Sequence, residues 1–162
     1  MRTPKLLTAA LLIAAAAAHA QVQVTYQEPQ KFTEFAGSTA AFSDGQRWLE
    51  ELKTYIQTQA AERLPAGQQL AVTVTDLRRA GWVDPTFRYG QSVRIVRDID
   101  APRIDLQYRL TDAGGGVVRE GSAQLRDLGF LSRPQRPGQA DTLTHEKNLV
   151  DRWLDDFLGH SS

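Results

Sequence analysis

Apolar and polar residues alternate along one stretch of the chain without a break. Ile104, Leu106, Tyr108 and Leu110 interleave with Asp105, Gln107 and Arg109, the pattern of a strand with one buried and one wet face. Asp112-Ala113 and the glycines Gly114, Gly115 and Gly116 follow, and glycine accepts the positive φ of a tight reversal. Val117 to Leu125 then returns as the second strand of a hairpin, and Val93-Arg94-Ile95-Val96 is expected to join it. Alternation also predicts a first strand over Val22, Val24 and Tyr26, closed by Glu28-Pro29, and another over Leu70, Val72 and Val74.

Helical spacing replaces alternation in two places. Trp48, Leu49, Leu52, Tyr55, Ile56 and Ala60 predict a first helix. Ser43-Asp44-Gly45-Gln46 fits a capping box that would start it at Ser43, and Pro65 stops it. Phe32 and Phe35, in the connector before this helix, are expected to tuck against the core. Leu143, Leu149, Val150, Trp153, Leu154, Phe157 and Leu158 predict a second helix from about Thr142 to Leu158. The connector from Asp76 to Ser92 is too long and too aromatic for simple slack. A further loop, Ser132 to Ala140, is rich in Pro, Gly and Arg.

Strand, helix, a block of strands and a final helix predict an α+β fold. The expected form is a mostly antiparallel sheet of four to five strands with two helices packed on one face. There is no fixed-period repeat and no sign of a second domain.

The chain start changes the picture of where this fold works. Arg2 and Lys5 precede an apolar run from Leu6 to Ala18, broken at Thr8, and Ala18-His19-Ala20 is a small-x-small cleavage site. Residues 1–20 therefore read as a secretory signal peptide cut after Ala20, since the run falls short of the roughly 20 residues that span a bilayer. Residues 21–162 are left as one domain, destined for the periplasm or the exterior. Nineteen basic and nineteen acidic side chains balance in the whole chain. Losing Arg2 and Lys5 leaves about two negative charges, which argues against nucleic acid or an anionic membrane as partner. The chain has no cysteine. Disulfides, a lipid-modified N-terminal cysteine, a thiol nucleophile and a Cys/His zinc site are thereby excluded. No metal, cofactor or transmembrane segment is expected.

Several blocks resemble a known family. Leu64-Pro65-Ala66-Gly67-Gln68, Asp76 and Ala80-Gly81 are similar to the bacterial family catalogued as domain of unknown function 3016. So are Val93 to Asp98, Pro102-Arg103-Ile104, Leu106, Tyr108 and Leu110, and, near the end, Glu146-Lys147, Leu149 and Trp153. That family tends to carry a tyrosine where this chain has His145. The resemblance implies an exported protein of Gram-negative-type bacteria and assigns no activity, cofactor or catalytic residue.

Two groups of residues are candidates for function. Arg78, Arg79, Trp82, Phe87, Arg88 and Tyr89 make the long connector a candidate binding surface, because Arg, Trp and Tyr combine large area with a polar handle. The plainer alternative is that its aromatics cover a sheet edge. Asp76, Arg97, Asp98, Arg103, Asp127, His145 and Glu146 form the candidate polar cluster. Within it His145-Glu146 reads as an acid/base pair, or as a surface histidine beside a glutamate that favours the helix dipole. Arg97, Asp98, Asp100, Arg103 and Asp105 read as a salt-bridged loop, since cations beside the acids keep them ionised. Asp76 and Asp127 are expected to cap turns, or else to meet at one end of the sheet. Gln107 or Arg109 is expected to lie near Glu120. Asp151, Asp155 and Asp156 read as a solvated acidic face, with Arg152 paired to Asp156.

The reading that follows is a non-enzymatic binding or assembly-accessory module of the cell envelope, whose partner is another envelope protein or polymer. A small hydrolase of an envelope polymer is the alternative. It requires at least two of Asp76, Asp98, Asp127 and Glu146 to converge, one with a raised pKa.

Overall fold

A computed structural model describes residues 21–84, 93–132 and 141–159. The leader 1–20, the connector residues Phe87, Arg88 and Tyr89, the loop arginines Arg133 and Arg136, and His160 lie outside the described residues.

The elements are β1 (Gln21–Tyr26), α1 (Thr39–Arg63), β2 (Gln69–Arg78), β3 (Trp82–Asp84), β4 (Val93–Ile95), β5 (Arg103–Thr111), β6 (Val117–Arg126) and α2 (Thr144–Leu158). Four strands form one sheet in the order β1-β2-β5-β6. β5 runs antiparallel to both β2 and β6, whereas β1 lies parallel to β2 because α1 carries the chain back between them. The fold is α+β, with a mostly antiparallel sheet.

Both helices cover one face of that sheet. Val24, Leu70, Val72, Val74, Ile104, Leu106 and Leu110 project from the strands into one core. Leu49, Leu52 and Ile56 of α1 and Leu149, Trp153 and Leu154 of α2 meet them. Tyr108 packs edge-on against Phe157 with ring centres 4.7 Å apart. β2 breaks its own alternation at a bulge between Val74 and Asp76, so the next buried residue is Leu77 rather than Asp76. Gln23, Ala71, Gln107 and Gln124 sit exposed on the strands between the core positions. Among the described residues no helix is long and apolar enough to cross a membrane.

Three local expectations are corrected. First, α1 starts earlier than the Ser43 box. Ala36 and Gly37 take positive φ and turn the chain, and the Ser38 hydroxyl then caps the helix by accepting the Ala41 N–H at 3.2 Å. Ser43 is left inside the helix. Second, β4 does not join the hairpin. β4 pairs instead with β3, a strand hidden in the connector, where Arg94 ties it to the Ala80 and Gly81 carbonyls. Third, the acids of α2 are not all solvated. Asp151 is buried and accepts the Tyr55 hydroxyl at 2.8 Å, while Arg63 donates to Asp155 at 3.0 Å. These contacts join α2 to α1, which sequence spacing along α2 alone does not reveal. Arg152 reaches Asp127, at 3.4 Å, rather than Asp156.

Candidate functional site

The end of β2 and the two-stranded ribbon β3–β4 build the most structured polar region. Gly81 makes the ribbon possible. Its φ is +77°, and a Cβ there would stand 2.3 Å from the Ile95 carbonyl oxygen. Its N–H donates to the Asp100 carbonyl at 2.9 Å. From β4, Arg94 donates to the carbonyls of Ala80 and Gly81 at 3.1 and 3.3 Å and forms an ion pair with Glu34. The second oxygen of Glu34 accepts the Arg79 N–H at 2.8 Å.

Arg79 is the hinge of this arrangement. Its guanidinium lies 5.0 Å from the Trp48 ring centre and donates to the Thr142 carbonyl at 2.6 Å. Its Nε is buried and has no partner among the described residues. Burial, together with the neighbouring Arg94 guanidinium, lowers its pKa from the ordinary arginine value. Arg78, Arg79, Arg94, Trp48 and Trp82 border a cleft of about 800 Å³ between the first half of α1 and the ribbon. That volume lies within the roughly 300–1,000 Å³ usual for ligand pockets. Three of the six surface candidates, Arg78, Arg79 and Trp82, thus share one concavity.

Below the cleft lies Glu146. It is only 1% exposed, and its carboxylate accepts the Ala80 N–H at 2.7 Å. Burial raises its pKa, against the opposing pull of that N–H and of Arg79 and His145. His145 is half-buried and stands edge-on to Phe130, with ring centres 4.8 Å apart.

The remaining polar candidates are dispersed. Asp76 accepts both the N–H and the hydroxyl of Thr33 at 2.7 Å and pairs with Arg103. Burial works against it, but these bonds prevail and lower its pKa. Its partner lies far along the chain, so it ties the connector to β2 rather than capping the turn after its own strand. Asp127 does cap locally, accepting the Gly129 N–H at 3.1 Å. Asp98 accepts the Ile99 N–H at 2.8 Å. Arg97 donates to buried Asp100 at 2.7 Å, and Arg78 reaches the other oxygen at 3.1 Å. Asp76, Asp98, Asp127 and Glu146 therefore each engage different groups. Among the described residues no three His, Cys, Asp or Glu side chains are grouped to hold a metal ion.

Glu34, Trp48 and Arg94 belong to the cleft but were not singled out by the sequence. Trp48 sits at a helical apolar position, Arg94 inside a strand and Glu34 in a polar connector, so no local pattern sets them apart.

These features define an α+β protein with an arginine- and tryptophan-lined cleft beside its main sheet. The chain belongs to the family described as protein of unknown function, DUF3016, whose model matches residues 20–156. The comparison with curated proteins gives no match. Two similar solved structures are both PelC dodecamers from Paraburkholderia phytofirmans. One, a point variant, is 12% identical with a TM-score of 0.42, covering 89% of this chain and 90% of that one. The other is 14% identical with a TM-score of 0.36, covering 90% and 93%.

Proposed function

We propose that the protein is an exported, non-enzymatic binding or assembly-accessory module of the bacterial cell envelope, and that the cleft is its working surface. The observation that carries this reading is the gathering of Arg78, Arg79, Arg94, Trp48 and Trp82 around one concavity. Arginine and tryptophan dominate the energetics of binding interfaces, since each brings area and a directed donor. The basic start, apolar run and small-x-small site of residues 1–20 support export. The hydrolase alternative has less support, because its four carboxyls engage separate partners.

Capture from periplasmic extract on immobilised protein tests the proposal. The native protein is expected to retain a defined envelope component. Trp82→Ala combined with Arg78→Gln should release it while the circular dichroism spectrum stays unchanged. Retention by the double variant equal to that of the native protein would remove the cleft from the account.

A further inference from the structure

We infer that the outer edge of β6 is an interface between two copies of this chain, paired antiparallel about a two-fold axis at Ala123. The inference goes beyond the proposed function and does not depend on it, since β6 contributes none of the described residues lining the cleft.

β6 is the last strand in the order β1-β2-β5-β6, so one side of it pairs with β5 and the other faces outward. Among the described residues no strand pairs with that outward side. The strand is ten residues long, contains no proline or lysine and is exposed over most of its length. A long open edge is a template for another strand unless proline, lysine or a bulge blunts it. The irregularity against β5 falls at Val118, so Arg119 to Arg126 is a continuous edge. Arg152 takes the Arg126 carbonyl at 3.1 Å and marks its end.

The side chains choose the occupant. In antiparallel pairing, directly opposed residues stand on the same face of the sheet. Glu120 and Arg126 lie on the face away from the helices, opposite Arg109 and Arg103 of β5, and each is three positions from Ala123. When Ala123 meets Ala123 of a second copy, Glu120 of each chain therefore opposes Arg126 of the other. Ser122 then opposes Gln124, and the small side chain of Ala123 leaves the axis uncrowded. Val118 comes level with Leu128, just past the strand, and both are exposed apolar residues. Neighbouring registers lose the match. An axis at Ser122 sets Glu120 against Gln124, and one at Gln124 sets Arg126 against Ser122. Complementarity of a strand to itself about one residue is what a two-fold interface requires, and an unrelated strand makes no use of it. Both charges are exposed. Glu120 stands 3.7 Å from Arg109, and Arg126 reaches Asp105 through Nη1 at 3.2 Å. A guanidinium has five N–H donors, so Arg126 can hold Asp105 and a second carboxylate together.

Sedimentation velocity on protein purified from cells expressing the full chain, over about 1 to 200 μM, provides the test. A monomer–dimer equilibrium is expected within that range. Glu120→Arg alone and Arg126→Glu alone should each weaken it about tenfold, because either change sets like charges together twice across the axis. An equimolar mixture of the two variants should dimerise about as well as the native protein, since each chain then offers the other the opposite charge. The repulsions each change creates within its own chain, against Arg109 and against Asp105, persist in the mixture. Restored association therefore reports the contact between chains. Hydrogen exchange on the native protein reads the same edge without any substitution. Backbone amides between Glu120 and Arg126 should exchange more slowly as concentration rises. A monomer at every concentration overturns the inference and leaves the edge to a different partner. A dimer whose exchange over this stretch is unchanged also overturns it, as does a dimer that both substitutions leave intact. So does a mixture that stays as weak as its components. If a variant does not fold, the exchange result on the native protein decides.

Discussion

Glu146 in the first turn of α2 accepts the backbone N–H of Ala80 at 2.7 Å across 66 positions of chain. One buried carboxylate thereby fastens the last helix to the turn that carries Arg79 and Gly81. The arrangement has a pH signature. Burial raises the folded-state pKa of Glu146 above its ordinary 4.5. The folded protein then binds more protons than the unfolded chain between those two values. This group's contribution to stability is therefore greatest in acid and falls as pH rises through the folded pKa. Glu146→Gln should flatten that part of the profile. Urea unfolding of both proteins from pH 4 to 8 checks it, and identical slopes would contradict the expectation.

Asp76 works in the opposite sense. Burial opposes its ionisation, but Thr33 and Arg103 outweigh burial and place its pKa below 3.8. Its stabilising contribution is present above that ordinary value and lost as pH falls through the lower folded value. Asp76→Asn should lower stability at neutral pH and reduce the loss on acidification below about pH 4. Acid titration followed by tryptophan fluorescence reads both effects.

Tyr55 and Asp151 join the two helices, with the hydroxyl 2.9 and 2.8 Å from the two carboxylate oxygens. Asp151 is 7% exposed, and its ion pair with Arg63 is long at 3.8 Å. Tyr55→Phe keeps the ring beneath Lys147 but leaves the carboxylate short of a donor. A hydrogen bond to a charged group contributes about 1.5–3 kcal/mol, and a loss of that size is expected in chemical denaturation. Pairing the change with Asp151→Asn in a double-mutant cycle isolates the contact. Additive effects would show that the two do not interact.

Gly45 sits inside α1, where alanine would ordinarily gain about 1 kcal/mol in helix propensity. Here a Cβ would lie 2.4 Å from the Phe35 ring, itself packed against Phe42 and Trp48. Overpacking a filled site costs about 1–3 kcal/mol, so Gly45→Ala should destabilise despite its propensity. Thermal unfolding decides the sign, and a raised midpoint would show that Phe35 moves aside freely.

Arg109 and Glu120 face each other on β5 and β6, with 3.7 Å between charged atoms and both side chains about 60% exposed. Exposed pairs contribute about 0.2–1 kcal/mol. Arg109→Ala should therefore change stability by less than about 1 kcal/mol, and less still in high salt. A larger loss would reveal a further role for the open sheet face.

The strands and helices were legible where a single periodicity ran unbroken. Ile104 to Leu110 alternates and is β5; Pro65 ends α1 as its geometry requires. The pairing of Arg109 with Glu120 was among the expected outcomes, but its register depended on how the turn closed. Other features had no local signal. Three residues of β3 are too few to show a period, and Ser38 and Ser43 carry the same hydroxyl, so spacing could not choose between them. In the cleft, Arg78, Arg79 and Trp82 stood out by residue type. Glu34, Trp48 and Arg94 did not, because each becomes distinctive only through a partner distant in sequence.

By itself the sequence determined the element types, the face each helix buries, and the α+β class, because these follow from side-chain period and from proline and glycine geometry within a few neighbouring residues. The tertiary structure alone decided that β1 runs parallel to β2, that β4 is displaced onto β3, and that Glu146 and Asp151 are buried. Those outcomes depend on which strand edges remain free and which donors arrive from elsewhere in the chain, and such competition is settled only when all the elements pack together.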